Sequence, residues 1–96
     1  MRVRYRAQAL GDIDEISRYI EKRNPGSTVD VLRAICAGIY LIAEQPYSYQ
    51  RTDDPEIRVS VLRRYRYKIY YCVLDEHTVE IIHIRHASRR PWKGER

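Results

Sequence analysis

Apolar residues recur at two different periods along this chain, and the switch between them limits what it can fold into. Ala9, Ile13, Ile16 and Ile20 stand at helical spacing, with Asp12, Asp14, Glu15, Arg18 and Glu21 on the opposite side, and Asn24-Pro25-Gly26 ends the run. Ser27 or Thr28 is placed to cap a second helix, whose stripe of Val29, Leu32, Ile35, Cys36, Ile39, Ile42 and Ala43 runs to Gln45-Pro46. A turn that short predicts an antiparallel helical hairpin. From Ile57 the period becomes two. Ile57, Val59 and Val61 alternate with Arg58, Ser60 and Leu62, and Arg63-Arg64 mark a turn. Tyr67 to Leu74 is almost continuously apolar or aromatic, Asp75-Glu76-His77-Thr78 supplies a hairpin turn, and Val79 to Arg85 returns as a last strand. Ahead of the helices, Val3 and Tyr5 alternate with Arg2, Arg4 and Arg6, a short strand with a cationic outer side.

The predicted order is β-α-α-β-β-β, an α+β fold in which the helical hairpin packs on an antiparallel sheet. Residues 47–56, with Asp53-Asp54-Pro55 among them, read as an exposed loop. All 96 residues fit one domain, 1–96, with 86–96 as a basic C-terminal tail that has no period of its own. The helices cover one sheet face only. The other carries Tyr, Arg and His side chains and calls for a ligand, a partner or solvent.

Eighteen Lys and Arg against thirteen Asp and Glu give a net charge of +5, and the cations crowd the second half of the chain, which suits a polyanionic partner. Nine Tyr and one Trp stand against no Phe, so every ring has a polar tip, as half-buried surfaces and interfaces favour. Cys36 and Cys72 lack metal-ligand spacing and read as buried hydrophobes; neither metal nor cofactor is expected. The N-terminus lacks a signal-peptide core, and no stretch approaches the ~18 apolar residues of a membrane span, so a cytoplasmic protein with no membrane partner is expected.

Several of these residues fall in one joint order: Ala9-x-x-Asp12-Ile13, Ile16-x-x-Tyr19-Ile20, Asn24-Pro25, Pro46, Ile57-Arg58-Val59, Tyr67-Lys-Ile-Tyr-Tyr-Cys-Val73, Val79-Glu-Ile81 and Ile84-Arg-His86-Ala-x-Arg89. Over nearly its whole length the chain thus resembles the RelE/ParE superfamily of bacterial toxins, and most of all its ParE branch. It departs from the family pattern at Ala7, where the family has Pro, and at Gln50-Arg51, where Gly-Arg is usual. The resemblance implies a growth-arresting toxin, of the kind that stabilises plasmids, held in a hetero-oligomeric complex by a cognate antitoxin whose acidic segment folds on binding. A ParE-like member is expected to inhibit DNA gyrase without catalytic residues. The alternative is a RelE-like endoribonuclease acting on mRNA at the ribosome, which needs an acid or base beside a cationic cluster; here Arg58, Arg64, Arg85 and His86 are the candidates. A further alternative is a non-toxic binding module or co-repressor.

The ending His86-Ala-x-Arg89-Arg90-Pro-Trp92 resembles the ParE type, and no tyrosine follows His86 to act as the terminal acid of the nucleases. Arg58, Arg64, Arg85, His86, Arg89, Arg90 and Trp92 are therefore expected to contact the target, and Arg2, Arg4 and Tyr70 the antitoxin. His83 reads as a hydrogen-bonded structural residue. At least two of Tyr67, Tyr70 and Tyr71 are expected in the core rather than as a stacking surface.

Overall fold

The computed structural model describes residues 1–88 and forms a five-stranded sheet with both helices on one face. Strand β1 (Arg2–Tyr5) leads into helix α1 (Ala7–Arg23), and a 3-10 turn (Pro25–Ser27) reverses the chain into α2 (Thr28–Glu44). Then follow β2 (Gln50–Arg51), β3 (Arg58–Val61), β4 (Tyr67–Asp75) and β5 (Thr78–His86). The sheet order is β1-β5-β4-β3-β2. It is mixed rather than wholly antiparallel: β2 to β5 form an antiparallel meander, while β1 lies parallel to β5, with Arg2 opposite Thr78 and Tyr5 opposite Ile81. The hairpin of helices is the crossover that lets β1 run parallel to a strand some seventy residues later. Strand β2, inside the segment expected to be loop, is the other addition.

Both helices end where local chemistry requires. Lys22 and Arg23 occupy the last turn of α1, where cations suit the carbonyl end, and Asn24 precedes a proline that disfavours further helix. Neither Ser27 nor Thr28 caps α2; instead the Thr28 hydroxyl donates to Glu21 Oε1 at 2.8 Å and ties the two helices together. On α2 the buried side is Val31, Ile35, Ile39 and Ile42, one step round from the expected stripe, so Val29 (57% exposed) and Cys36 face outward. The helix is apolar on both sides, and Pro25–Glu44 is long and apolar enough to cross a membrane by length and composition, contrary to the expectation from the sequence. In the fold, one side of it lies on the sheet. Gly38 lets the helix come close there: a Cβ would lie 2.5 Å from Leu62 Cδ2 and 3.2 Å from Ile69 Cδ1, so the Leu62 side chain would have to shift.

The main core joins those α2 residues to Ala9, Tyr67, Ile69, Tyr71, Val79, Ile81 and Ile84. A smaller cluster of Ile57, Tyr70 and Ile82 lies apart from it. All three tyrosines of β4 are buried, as expected for at least two of them, at 8%, 4% and 0% exposure for Tyr67, Tyr70 and Tyr71. The Tyr71 hydroxyl donates to the Pro46 carbonyl at 2.6 Å, which fastens the chain leaving α2 to the middle of the sheet.

Candidate functional site

Strand β5 outruns its neighbour. Its first half, Thr78 to Ile81, is paired with β1, and the Arg6 amide closes that ladder on the Ile81 carbonyl at 2.9 Å. Beyond Ile81 the edge would be open. A register shift inserts Ile82 between the pairs Tyr71–Ile81 and Tyr70–His83, and at this bulge α1 takes over from the strand. Asp12 Oδ2 accepts from the backbone N–H of Ile84 at 2.9 Å and lies 2.6 Å from His83 Nδ1, while Oδ1 accepts from Gln8 Nε2 at 2.9 Å. One side chain thus does what the next residue of an edge strand would do, and it fixes α1 against the sheet. An unpaired N–H buried at this point would cost about 1–3 kcal/mol. The sequence places Asp12 on the charged side of α1; the structure buries it, because the uncovered strand edge needs an acceptor.

Beside this junction lies a groove of about 760 Å³. Ile16, Tyr19, Ile20 and Arg23 of α1 form one wall, and Tyr67, Ile84, Arg85 and His86 of the sheet the other, with Tyr65 from the β3–β4 turn at one end. Within it His86 Nδ1 accepts from the Ser88 amide at 3.1 Å, and the His86 ring meets Tyr67 edge-on at 5.2 Å. The β3–β4 turn has two consecutive non-glycine residues in the left-handed region, Tyr65 (φ 68) and Arg66 (φ 59). This conformation costs roughly 1 kcal/mol or more at each. The Ala87 amide donates to the Arg66 carbonyl at 2.7 Å, so the turn is tied to the end of β5.

Comparison with known proteins agrees with this architecture. The family of ParE toxins of type II toxin–antitoxin systems (parDE) matches residues 3–91, almost the whole chain. The chain belongs to the ParE toxin family. It is 33% identical over 89 residues to the Y4kP protein of Sinorhizobium fredii, covering 93% of this chain and 91% of that one. Among solved structures it is similar to the chromosomal ParDE system of P. aeruginosa, with a TM-score of 0.76 at 18% identity over 90% of this chain and 95% of that one. The intact E. coli RelBE complex gives 0.63 at 23% identity, over 92% and 98%. At such identities the two structures speak to the fold alone.

On this ParE-family fold the residues singled out from the sequence separate. Lys68 and Arg85 are cross-strand partners, and Val61 stands opposite Lys68, so all three share the helix-free face. Arg58 is three residues from Val61 along β3 and opposite Tyr71, which puts it on the helix side. There its guanidinium donates to the carbonyls of Tyr49 at 2.8 Å and Tyr47 at 3.3 Å and organises the loop after α2. Arg64 sits at the β3–β4 turn over the Tyr65 ring, 5.1 Å from its centroid. Arg2 and Arg4 are exposed on β1, but Tyr70 is a core residue, its ring stacked on His83 at 6.1 Å. Arg89, Arg90 and Trp92 lie outside the described residues. His83 is hydrogen-bonded as expected, to Asp12, a partner that a helical count of α1 assigns to solvent. Cys36 is exposed and Cys72 half-buried, because neither falls on an inward position of its element. Burial raises the Cys72 thiol, and the nearby Glu80 raises it further. Among the described residues no group of three His, Cys, Asp or Glu is placed to hold a metal ion.

Proposed function

We propose that this ParE-family chain arrests growth by inhibiting DNA gyrase, and that a cognate antitoxin neutralises it. The observation that carries the gyrase reading over RNA cleavage is the loss of Arg58 from the would-be nuclease set. Arg58 is committed to two backbone carbonyls on the helix side, while Arg85 projects with Lys68 from the opposite face. A phosphate could not be clamped by both at once, and general acid–base cleavage needs its groups within hydrogen-bond reach of one substrate. A toxin that acts by occupying its target has no such requirement. Arg64, Arg85 and His86 remain at the surface as target contacts, with Arg89, Arg90 and Trp92 following them in the sequence. The antitoxin reading is supported by the family, whose toxins come from parDE pairs. Exposed Arg2 and Arg4 offer charge pairing to an acidic antitoxin segment.

A supercoiling assay with purified gyrase, with and without antitoxin, tests this reading, with the DNA also checked for trapped double-strand cleavage. Inhibition relieved by antitoxin is the expected outcome. A folded chain that arrests growth yet leaves gyrase active would move the target to the ribosome, and one that leaves growth unimpaired would reduce the protein to a binding module.

A further inference from the structure

One end of the sheet carries a run of cations with no carboxylate in the same stretch of sequence. From Ile57 to Leu74 the sequence holds five cations and no Asp or Glu. Four of them, Arg63, Arg64, Arg66 and Lys68, lie in or just after the β3–β4 turn, and Arg85 stands directly across from Lys68. Arg63, Arg64 and Arg66 are exposed, and Lys68 and Arg85 are half-buried. Among the described residues none of these five is in an ion pair, whereas Arg6 is paired with Glu80 and Arg18 with Asp14. The left-handed pair Tyr65-Arg66 holds the turn in its shape at a cost in backbone energy. It packs Tyr65 against the core while Arg63, Arg64 and Arg66 point to solvent.

We propose that this pole, Arg63, Arg64, Arg66, Lys68 and Arg85, binds the phosphate backbone of duplex DNA directly. Three observations select that partner. Among the described residues the large exposed apolar side chains are mostly elsewhere, with Leu10 and Tyr19 on α1 and Val29, Tyr40 and Leu41 on α2, while at the pole only Val61 is strongly exposed. A protein interface is depleted of charge at its centre and needs apolar anchors, whereas a phosphate backbone needs cations. Four of the five cations are arginines, whose planar fork matches phosphate oxygens two at a time. Finally, a single strand binds by stacking its bases on exposed rings, and here the β4 rings are buried. A duplex keeps its bases stacked inside and presents only phosphates. The inference does not rest on gyrase being the target, because it concerns DNA alone; if both hold, Arg64 and Arg85 meet phosphates of the DNA that gyrase handles, and His86, Arg89, Arg90 and Trp92 are left to contact the protein.

The full chain is titrated onto a fluorescein-labelled 20-base-pair duplex of arbitrary sequence, with fluorescence anisotropy read over a series of salt concentrations. Neutralising four to five phosphates predicts a slope of log K against log salt of about −4. The variant Arg63→Gln/Arg64→Gln/Lys68→Gln should flatten the slope by about 3 and weaken binding at low salt by tenfold or more. The charge-matched variant Arg18→Gln/Lys22→Gln/Arg33→Gln, on the helices, should bind almost as the parent does, and circular dichroism reports whether each variant is folded. Equal losses in the two triple variants would reduce the effect to net charge and overturn the proposal. So would tighter binding of the matching single strand, or a pole variant that keeps DNA binding and loses only the antitoxin, since the pole would then be a protein-docking surface.

Discussion

The two helices have the same length, 17 residues each, and lie on the same sheet face, yet they are held there by opposite means. Helix α2 buries Val31, Ile35, Ile39 and Ile42 and approaches the sheet closely at Gly38, a contact that is apolar and largely non-directional. Helix α1 buries only Ala9 and Asp12, and Ile13, Ile16 and Ile20 are half-covered. What positions it is the Asp12 carboxylate, which receives the Ile84 amide, lies against the His83 ring and receives the Gln8 amide. The difference reaches the surface. With one inward carboxylate doing the anchoring, α1 keeps a solvated outer side of Asp14, Glu15 and Arg18, and the groove stays open along its flank. The apolar helix exposes fewer charges and leaves Val29, Tyr40 and Leu41 in solvent, where α1 leaves Leu10 and Tyr19.

Removing volume should therefore hurt α2 most and removing charge should hurt α1 most. Ile42 has 0% exposure, and Ile42→Ala is expected to destabilise the chain by about 3–4 kcal/mol through lost burial and a residual cavity. Denaturant unfolding reads the loss, which hydrogen exchange should show spread across the core. Asp12→Ala should cost about 2–3 kcal/mol, because the Ile84 and His83 N–H groups lose their acceptor. Its signature is local: the Ile84 amide should exchange faster while amides of Thr78 to Ile81, guarded by β1, keep their protection. Asp12→Asn retains one acceptor oxygen and should recover part of the loss. A uniform rise in exchange for Asp12→Ala would mean that α1 is held by its isoleucines after all, and the contrast would collapse.

Most of the architecture was legible because it follows from period. Helical spacing to Ala43, alternation from Ile57 and the turns at Asn24-Pro25 and Asp75 to Thr78 yield the elements directly. What escaped depends on partners distant in sequence. Asp12 is 72 residues from Ile84, and on a helical wheel it belongs with Asp14 and Glu15. Its one visible clue is that β1 is too short to guard a nine-residue β5. The parallel pairing of β1 and the two-residue β2 are likewise tertiary choices that no local pattern encodes. Arg58 illustrates the same point for the site: its charge suggests a ligand contact, and only the fold shows its guanidinium spent on the carbonyls of Tyr47 and Tyr49.

The smallest expected effect concerns where each helix is tied at its end. Helix α1 ends in a backbone cap, Asn24 N–H to the Ile20 carbonyl at 2.7 Å, while the chain leaving α2 is also held by a side chain, Tyr71, through the Pro46 carbonyl. Burial pushes the Tyr71 phenol up to about 12, with the nearby Arg58 charge opposing and Tyr49 adding to the rise. An exposed tyrosine in the unfolded chain titrates near about 10. The folded chain therefore keeps a proton that the unfolded chain gives up between those values. The stability linked to it is complete below pH ~10 and declines as pH rises towards about 12. Tyr71→Phe should lose about 1 kcal/mol at neutral pH, the net worth of one hydrogen bond, and its stability should fall less steeply than the parent's above pH ~10. Parallel pH profiles for parent and variant would show that the phenol contributes nothing to this tether, and that the end of α2, like its inner face, is held by apolar contact.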